Sequence, residues 1–243
     1  MLTDEAVISA ELAERLRQVS TAVATSVLAE LGYANVCMVG VRSFTPGARL
    51  VGRAVTVRFV PLREDQRKRL LDERERGLSS PSHVPFHRAK PGHVIVMDAQ
   101  GDLSAGVIGD VVAGYFQSAG GVGLVVDGCI RDYPALKPMG LPLFLKGTNP
   151  YASTRNKYAA DVDVPIQCGG VLVLPGDLIL GDDDGVLAFP FEVAEQVATR
   201  GIEHEALEEF VRAKIATGAP IADCYPPNPR IREEFSRRMK NEE

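Results

Sequence analysis

Residues 109–132 read GDVVAGYFQSAGGVGLVVDGCIRD, a stretch in which helical spacing gives way to an unbroken apolar run. Over 107–119 the residues Ile108, Val111, Val112, Tyr115, Phe116 and Ala119 recur three and four apart, which predicts one helix with these on one side. GVGLVVDG, residues 121–128, is short and apolar and stops on Asp-Gly, as a buried strand does. Beyond it Arg131 stands beside Asp132, an adjacent cation and anion that a turn does not require. A helix feeding a buried strand is one unit of an α/β layer.

The flanking sequence extends that unit. Pro91-Gly92 introduces the strand HVIVMDA, which ends at Gly101-Asp102. A further helix starts near Pro134 and PLFLKG is the next strand, so strand and helix alternate through 90–150. RLVGRAVTVRFV, residues 49–60, alternates as a strand. After a polar loop, NPYASTRNKY, the segments VDVPIQCGGVLVLPGD and GVLAFP read as paired strands and predict a mixed sheet. Both ends are helical. Residues 4–32 form two helices on Leu12, Leu16 and Val19 and on the stripe Val23, Val27, Leu28 and Leu31, closed by Gly32. A C-terminal helix covers about 191–216. The expectation is an α/β fold in one domain, 1–243, with a helical N-terminal cap at about 4–32 and a Pro-rich tail at about 222–243. The run REDQRKRLLDERERG, residues 63–77, mixes both charge signs closely and predicts a solvated helix or excursion.

Composition removes several classes of function. At 45% hydrophobic and 24% charged the chain is ordinarily globular, and a net charge of −5 argues against nonspecific nucleic-acid binding. A small anionic substrate is compatible, because a local cationic pocket can exist on an acidic protein. Cys37, Cys129, Cys168 and Cys224 are widely spaced and read as reduced thiols. The acidic, amphipathic N-terminus is not a signal peptide, and no stretch reaches the ~20 apolar residues that span a bilayer. A soluble cytoplasmic protein with neither nucleic acid nor membrane as partner is expected. His204-Glu205-Ala-Leu-Glu208 lacks the second histidine of a zinc-protease motif, and His83, His87 and His93 have no second cluster. Asp182-Asp183-Asp184-Gly185 lacks calcium-loop spacing and reads as a turn between strands. GGVGLVVDG is not a dinucleotide fingerprint, and neither GxSxG nor a Walker A sequence is present.

One constellation survives. Loops after the carboxyl ends of strands gather at one edge of an α/β sheet, where ligands bind. The strand ending at Val126 brings Asp127, Gly128, Arg131 and Asp132 there, and the helix starting at Gly109-Asp110 presents the amides of Val111 and Val112. Free amides and the helix dipole favour an anion, and a guanidinium beside them adds a bidentate fork for a carboxylate. Asp110 and Asp132 supply oxygens suited to Mg²⁺ or Mn²⁺, which keep waters when protein ligands are few. The same residues admit plainer roles: Asp110 as an N-cap worth ~1 kcal/mol, and Arg131–Asp132 as an exposed ion pair worth about 0–1 kcal/mol.

DGCIRD, with GDVVAGYFQSAGGVGLVV before it, closely resembles the family of class II 4-hydroxy-4-methyl-2-oxoglutarate aldolases and RraA-type regulators of ribonuclease activity. STAVATSVLAELG, LVGRAVTVRF, LKGTNPYASTR, VDVPIQCGGVLVLPGD and DDDGVLAFP follow in family order, so the resemblance covers about residues 20–215. It implies a layered fold of the swivelling β/β/α type, assembled as homotrimers or homohexamers with sites between subunits. It further implies that Arg131 binds the carboxylate and keto oxygen of a pyruvate unit, with Gly109 and the amides of Val111 and Val112 around the same carboxylate. Asp132 would coordinate a divalent metal, Mg²⁺ or Mn²⁺, and Asp110 would reach it through water. Glu205 or Glu208 of a neighbouring subunit would join the metal shell. The implied reaction is cleavage of a 4-hydroxy-2-oxo acid to pyruvate and a carbonyl compound, with oxaloacetate decarboxylation through the same enolate. The alternative is a non-catalytic regulator that binds a ribonuclease. The chain departs from the family pattern at Ser26, where aspartate is common, in its charged 62–90 excursion, whose His83, His87 and Arg88 either belong to a surface loop, the plainer reading, or reach the pocket and change the substrate, and in its tail.

Overall fold

The computed structural model describes residues 8–76 and 83–242. Two N-terminal helices come first, α1 (Ala10–Arg17) and α2 (Thr21–Glu30), followed by β1 (Arg42–Ser43) and β2 (Leu50–Pro61). The charged excursion carries α3 (Glu64–Glu75) and α4 (Val84–Arg88). Next come β3 (His93–Gly106), α5 (Asp110–Ser118), β4 (Gly123–Ile130), α6 (Tyr133–Leu136) and β5 (Leu143–Thr148). The second half contains β6 (Lys157–Val162), β7 (Ile166–Cys168), β8 (Val171–Val173), β9 (Leu178–Asp182) and β10 (Gly185–Phe189). Helices α7 (Ala194–Ala216), α8 (Ile221–Cys224) and α9 (Pro229–Glu242) close the chain. The N-terminal cap predicted from residue 4 has its first four residues outside the described ones, as do the end of the charged run at Gly77 and the last residue of the tail.

The main sheet is mixed, in the order β1-β5-β4-β3-β2-β9-β10, with β6 also paired to β2. Strands β2, β3, β4 and β5 run parallel, while β1, β6, β9 and β10 add antiparallel pairs. β2 is long enough to pair β9 through Leu50–Arg53 and β6 through Val57–Pro61, which curls the sheet towards closure. Every residue of β4 is buried, because both faces of the sheet are covered. Leu124 and Val126 pack with Phe116 and Leu136 under α5 and α6. Val125 faces the other way, into a core shared with Phe144 and the separate β7–β8 hairpin. A third core joins α1, α2 and α7 to β9 and β10. Layering of this kind is what an apolar run buried on both faces demands.

Several boundaries differ from the sequence reading. The helix predicted over 107–119 begins at Asp110, because Val107 donates its N–H to Cys129 O (2.9 Å) and so continues the sheet. Its buried face holds Ala113 and Phe116, while Val111 and Tyr115 point outward. The strand expected to end at Gly101-Asp102 runs on to Gly106. VDVPIQCGGVLVLPGD is broken after Val162, where Asp163 takes a positive φ of 57°, and again at the Gly169-Gly170 turn. The tail is helical: Ile231 and Phe235 of α9 pack with Leu207 and Val211 of α7. The triple-aspartate turn joins β9 to β10 as expected, with Asp182 Oδ1 accepting from Asp184 N at 3.0 Å.

A buried ion pair braces the sheet from below. Asp127, only 1% exposed, lies 2.5 Å from Lys146 Nζ and accepts from Gly169 N at 3.0 Å, tying β4 to β5 and to the β7–β8 turn. Removing one member of such a pair strands the other in the core. Lys146→Met is expected to lower the unfolding free energy by about 3 kcal/mol, read from urea denaturation. An unchanged midpoint would show that solvent reaching Lys146 already screens the pair.

Candidate functional site

The end of β3 creates the site by leaving the ladder. Met97 lies opposite Val126, Asp102 opposite Gly128 and Gly106 opposite Cys129, so five steps along β3 match two along β4, then four match one. The slack forms an arm, residues 98–106, that leads into α5. It lands on β4 through glycine: a Cβ on Gly106 would stand 2.5 Å from Arg131 N. Arg131 N then donates to Ile108 O at 2.9 Å, which locks the start of the Arg131-Asp132 turn to the residues just before α5.

Gly109 completes the junction. It is the N-cap of α5, and a Cβ there would meet Asp132 Oδ2 at 2.5 Å and Arg131 Cγ at 3.3 Å. The plainer reading of Asp110 as the cap is therefore wrong. Asp110 is the first helical residue, and its Oδ1 accepts from Val111 N at 2.9 Å. The first N–H of the helical ladder is that of Ala113, donated to Gly109 O, so the amides of Asp110, Val111 and Val112 precede it. Val111 N is held by Asp110 Oδ1, and the amides of Asp110 and Val112, with the helix dipole behind them, form a terminus suited to an anion.

Arg131 Nε donates to Asp132 Oδ2 at 2.8 Å, and both side chains are partly exposed. Asp132 adopts the left-handed region at φ 57°, ψ 30°, a strained choice for a non-glycine residue. Contacts of the next helix hold it there: Ala135 N donates to Asp132 O, Leu136 is fully buried, and Tyr133 packs edge-on to Phe44 at 5.7 Å while donating to Phe44 O. The structure thus brings Gly109, Asp110, Arg131 and Asp132 together at the carboxyl ends of β3 and β4. Cys129, two residues upstream, is a packing residue: burial, aided by the charge of Asp102, raises its thiol above the ordinary range.

Other predicted residues lie elsewhere. Glu205 Oε1 accepts from Ser20 N at 2.8 Å, beside Thr21, which binds Asp182. Asp182 ends β9 next to the amino-terminal start of β2, so within its own chain Glu205 sits at the edge of the sheet opposite Arg131. Glu208 pairs with Arg212 at 3.3 Å and His204 at 3.6 Å. His87 stops against Tyr115, Oη to Nδ1 3.4 Å, and Arg88 turns to Asp163 at 3.3 Å. His83 precedes α4, and Ser26 is exposed on α2. Two lysines with carboxylate partners escaped the sequence reading, the half-buried Lys146 and the buried Lys157. Lys146 lies in the strand-like segment PLFLKG, whereas Lys157 falls in the stretch read as the polar loop NPYASTRNKY.

The donor set favours a hard ion. Asp110 and Asp132 offer carboxylate oxygen, and among the described residues no group of three or more His, Cys, Asp or Glu could enclose a metal. An ion held here would rest on one or two carboxylates plus water and ligand oxygens, as Mg²⁺ does. The residues present fit that mode.

Comparison with known proteins places the chain. A family model described as RraA-like, Aldolase/RraA, matches residues 10–188. A Halalkalibacterium halodurans protein named "Putative 4-hydroxy-4-methyl-2-oxoglutarate aldolase" is 42% identical over 140 residues, 58% of this chain and 66% of that protein. Legionella pneumophila protein DlpA is 25% identical over 194 residues, 77% of this chain and 30% of its own length. The chain therefore spans less than two thirds of these curated relatives. The crystal structure of Streptomyces coelicolor RraAS2, described as an unusual member of the RNase ES inhibitor RraA family, is 36% identical. Its TM-score is 0.75, with 86% of this chain and 98% of that one covered. No described helix is long and apolar enough to cross a membrane. The chain belongs to the RraA-like, Aldolase/RraA family.

Proposed function

We propose that the Gly109–Arg131–Asp132 junction binds a 2-oxo carboxylate and that the protein is a lyase releasing pyruvate from a 4-hydroxy-2-oxo acid, and from oxaloacetate. The observation that carries the reading is that a side-chain-free N-cap abuts both members of the Arg131–Asp132 pair. The amides before the ladder and the guanidinium fork both address a carboxylate. Arg131 also reaches the adjacent keto oxygen, where negative charge develops as the carbon–carbon bond breaks and an enolate forms. Fixed donors of this kind stabilise that charge without reorganising. Asp110 holds a water that takes the 4-hydroxyl proton and returns it to the enolate carbon. A divalent ion, Mg²⁺ or Mn²⁺, held by Asp132 and reached by Asp110 through water would add Lewis acidity at the keto and carboxylate oxygens.

The assembly belongs to the same proposal: a homotrimer or homohexamer in which Glu205 or Glu208 of a neighbour approaches Asp132. Within its own chain Glu205 accepts from Ser20 N and Glu208 pairs with Arg212, so either would have to give up a partner to reach the neighbour's site. A cytoplasmic location fits the unpaired described cysteines. A second reading comes from the likeness to the Streptomyces RraAS2 structure: a regulator that binds a ribonuclease, for which the exposed Val39 and Leu172 would offer apolar surface.

Pyruvate release from oxaloacetate and from 4-hydroxy-4-methyl-2-oxoglutarate, with Mg²⁺ or Mn²⁺ and after EDTA, separates the two. Metal-dependent release is expected, falling at least about 100-fold in Asp132→Ala. Release that survives both EDTA and Asp132→Ala would refute the site. No release from either compound by folded, metal-supplied protein would favour the regulator.

A further inference from the structure

The arm of β3 is held by side chains where strand pairing has lapsed. Lys157, the first residue of β6, is 6% exposed, and its Nζ lies 2.5 Å from Asp102 Oδ2 at the middle of the arm. Asp102 is the hub of a small network. Its Oδ1 accepts from Ser104 N at 2.9 Å, and its Oδ2 accepts from Ser104 Oγ at 2.7 Å and Asn156 Nδ2 at 3.2 Å. Burial pushes the Asp102 carboxyl up, but the bonds from Lys157 and Ser104 outweigh it and hold the group well below the usual carboxylate range. Asp102 therefore stays charged throughout the neutral range.

The segment before Lys157 grips both sides of the junction. Asn149 donates through Nδ2 to Leu103 O at 2.8 Å and through N to Ile130 O at 2.9 Å, one bond to the arm and one to the residue before Arg131. Tyr151 O accepts from Gly106 N at 2.8 Å, where the arm lands. The charged excursion reinforces this: Arg67 of α3 donates to Thr154 O at 2.9 Å and to Arg155 O. A chain of contacts thus runs from Lys157 through Asp102 to Gly106, three residues before the N-cap of α5.

We infer that Lys157 is a positioning residue for the carboxylate site, setting through Asp102 the distance between the amino terminus of α5 and the Arg131 guanidinium. It touches no substrate. Its role rests on the reading of that site as a 2-oxo carboxylate site, because only a ligand gripped from both sides senses the separation. A misplacement of 1 Å can cost on the order of 10²-fold in rate.

The test compares wild type, Lys157→Met and the double variant Lys157→Met/Asp102→Asn. The readouts are melting temperature, oxalate affinity by calorimetry with Mg²⁺ present, and KM and kcat for pyruvate release from oxaloacetate. Oxalate is a planar mimic of the pyruvate enolate. Lys157→Met strands Asp102 and is expected to melt lower, and the double variant removes the stranded charge and should recover most of that loss. Both are expected to bind oxalate at least about 10-fold more weakly and to raise KM in proportion. A double variant that melts near wild type and binds oxalate with wild-type affinity overturns the inference, leaving Lys157 a stabilising residue only. Wild-type protein that binds no oxalate overturns the carboxylate reading and this inference with it, whereas the first outcome leaves that reading intact.

Discussion

Arg131→Ala is expected to lower kcat/KM for pyruvate release by about 10³-fold while the protein melts within about 4 °C of wild type. The large effect on rate stems from what the guanidinium does: it is the one side chain at the junction that can fork onto a carboxylate and also face the developing enolate oxygen. The small effect on stability stems from exposure. Arg131 and Asp132 form a partly solvated pair at 2.8 Å, and such pairs contribute about 0–1 kcal/mol. The turn does not depend on it, since Leu136 and the Tyr133–Phe44 contact anchor α6 independently. Arg131→Lys keeps the charge without the fork and should recover only a small part of the rate. Steady-state kinetics with a thermal melt on the same samples checks both halves. Activity within tenfold of wild type in Arg131→Ala would remove the guanidinium from the mechanism.

Gly109→Ala is expected to fold normally and lose about 100-fold in activity. The backbone there is extended, at φ −123° and ψ −176°, which alanine adopts freely. Its Cβ would stand 2.5 Å from Asp132 Oδ2, a clash that the end of a side chain relieves by swinging away. Swinging breaks the 2.8 Å bond to Arg131 Nε and moves both groups from their ligand. The cost falls on catalysis and not on the fold. A methyl group that leaves kcat and KM unchanged would mean that the space between α5 and Arg131 is not where substrate sits.

Features legible in the sequence are those whose physics leaves a periodic trace. β4 is legible because burial on both faces demands an uninterrupted apolar run, and GLVV supplies one. The Arg131-Asp132 pair stands out because its charges interrupt that run. Helix α5 is legible as an element, but its apolar residues do not reveal which face is covered. Val111 is 80% exposed because it sits at the helix start, beyond the sheet that buries Phe116. The arm of β3 leaves no trace at all, since DAQGDLSAG is tethered by individual side chains and glycine contacts rather than by repeating pairs. Lys157 looks like loop polarity, because lysine is rarely buried and its partner lies 55 positions earlier, at Asp102. Glu205 capping α2 from α7 is likewise a long-range contact with no local signature.

The central claim, that this junction stabilises a pyruvate enolate, is tested most directly by proton exchange at the pyruvate methyl group. Pyruvate in D₂O with the protein and Mg²⁺ would be followed by NMR, which needs no knowledge of the natural aldol partner. Loss of the methyl proton signal above the buffer rate, abolished by EDTA and by Arg131→Ala, is the predicted result. A methyl signal that decays no faster with protein than without it, in a sample shown to be folded and supplied with metal, would contradict the account.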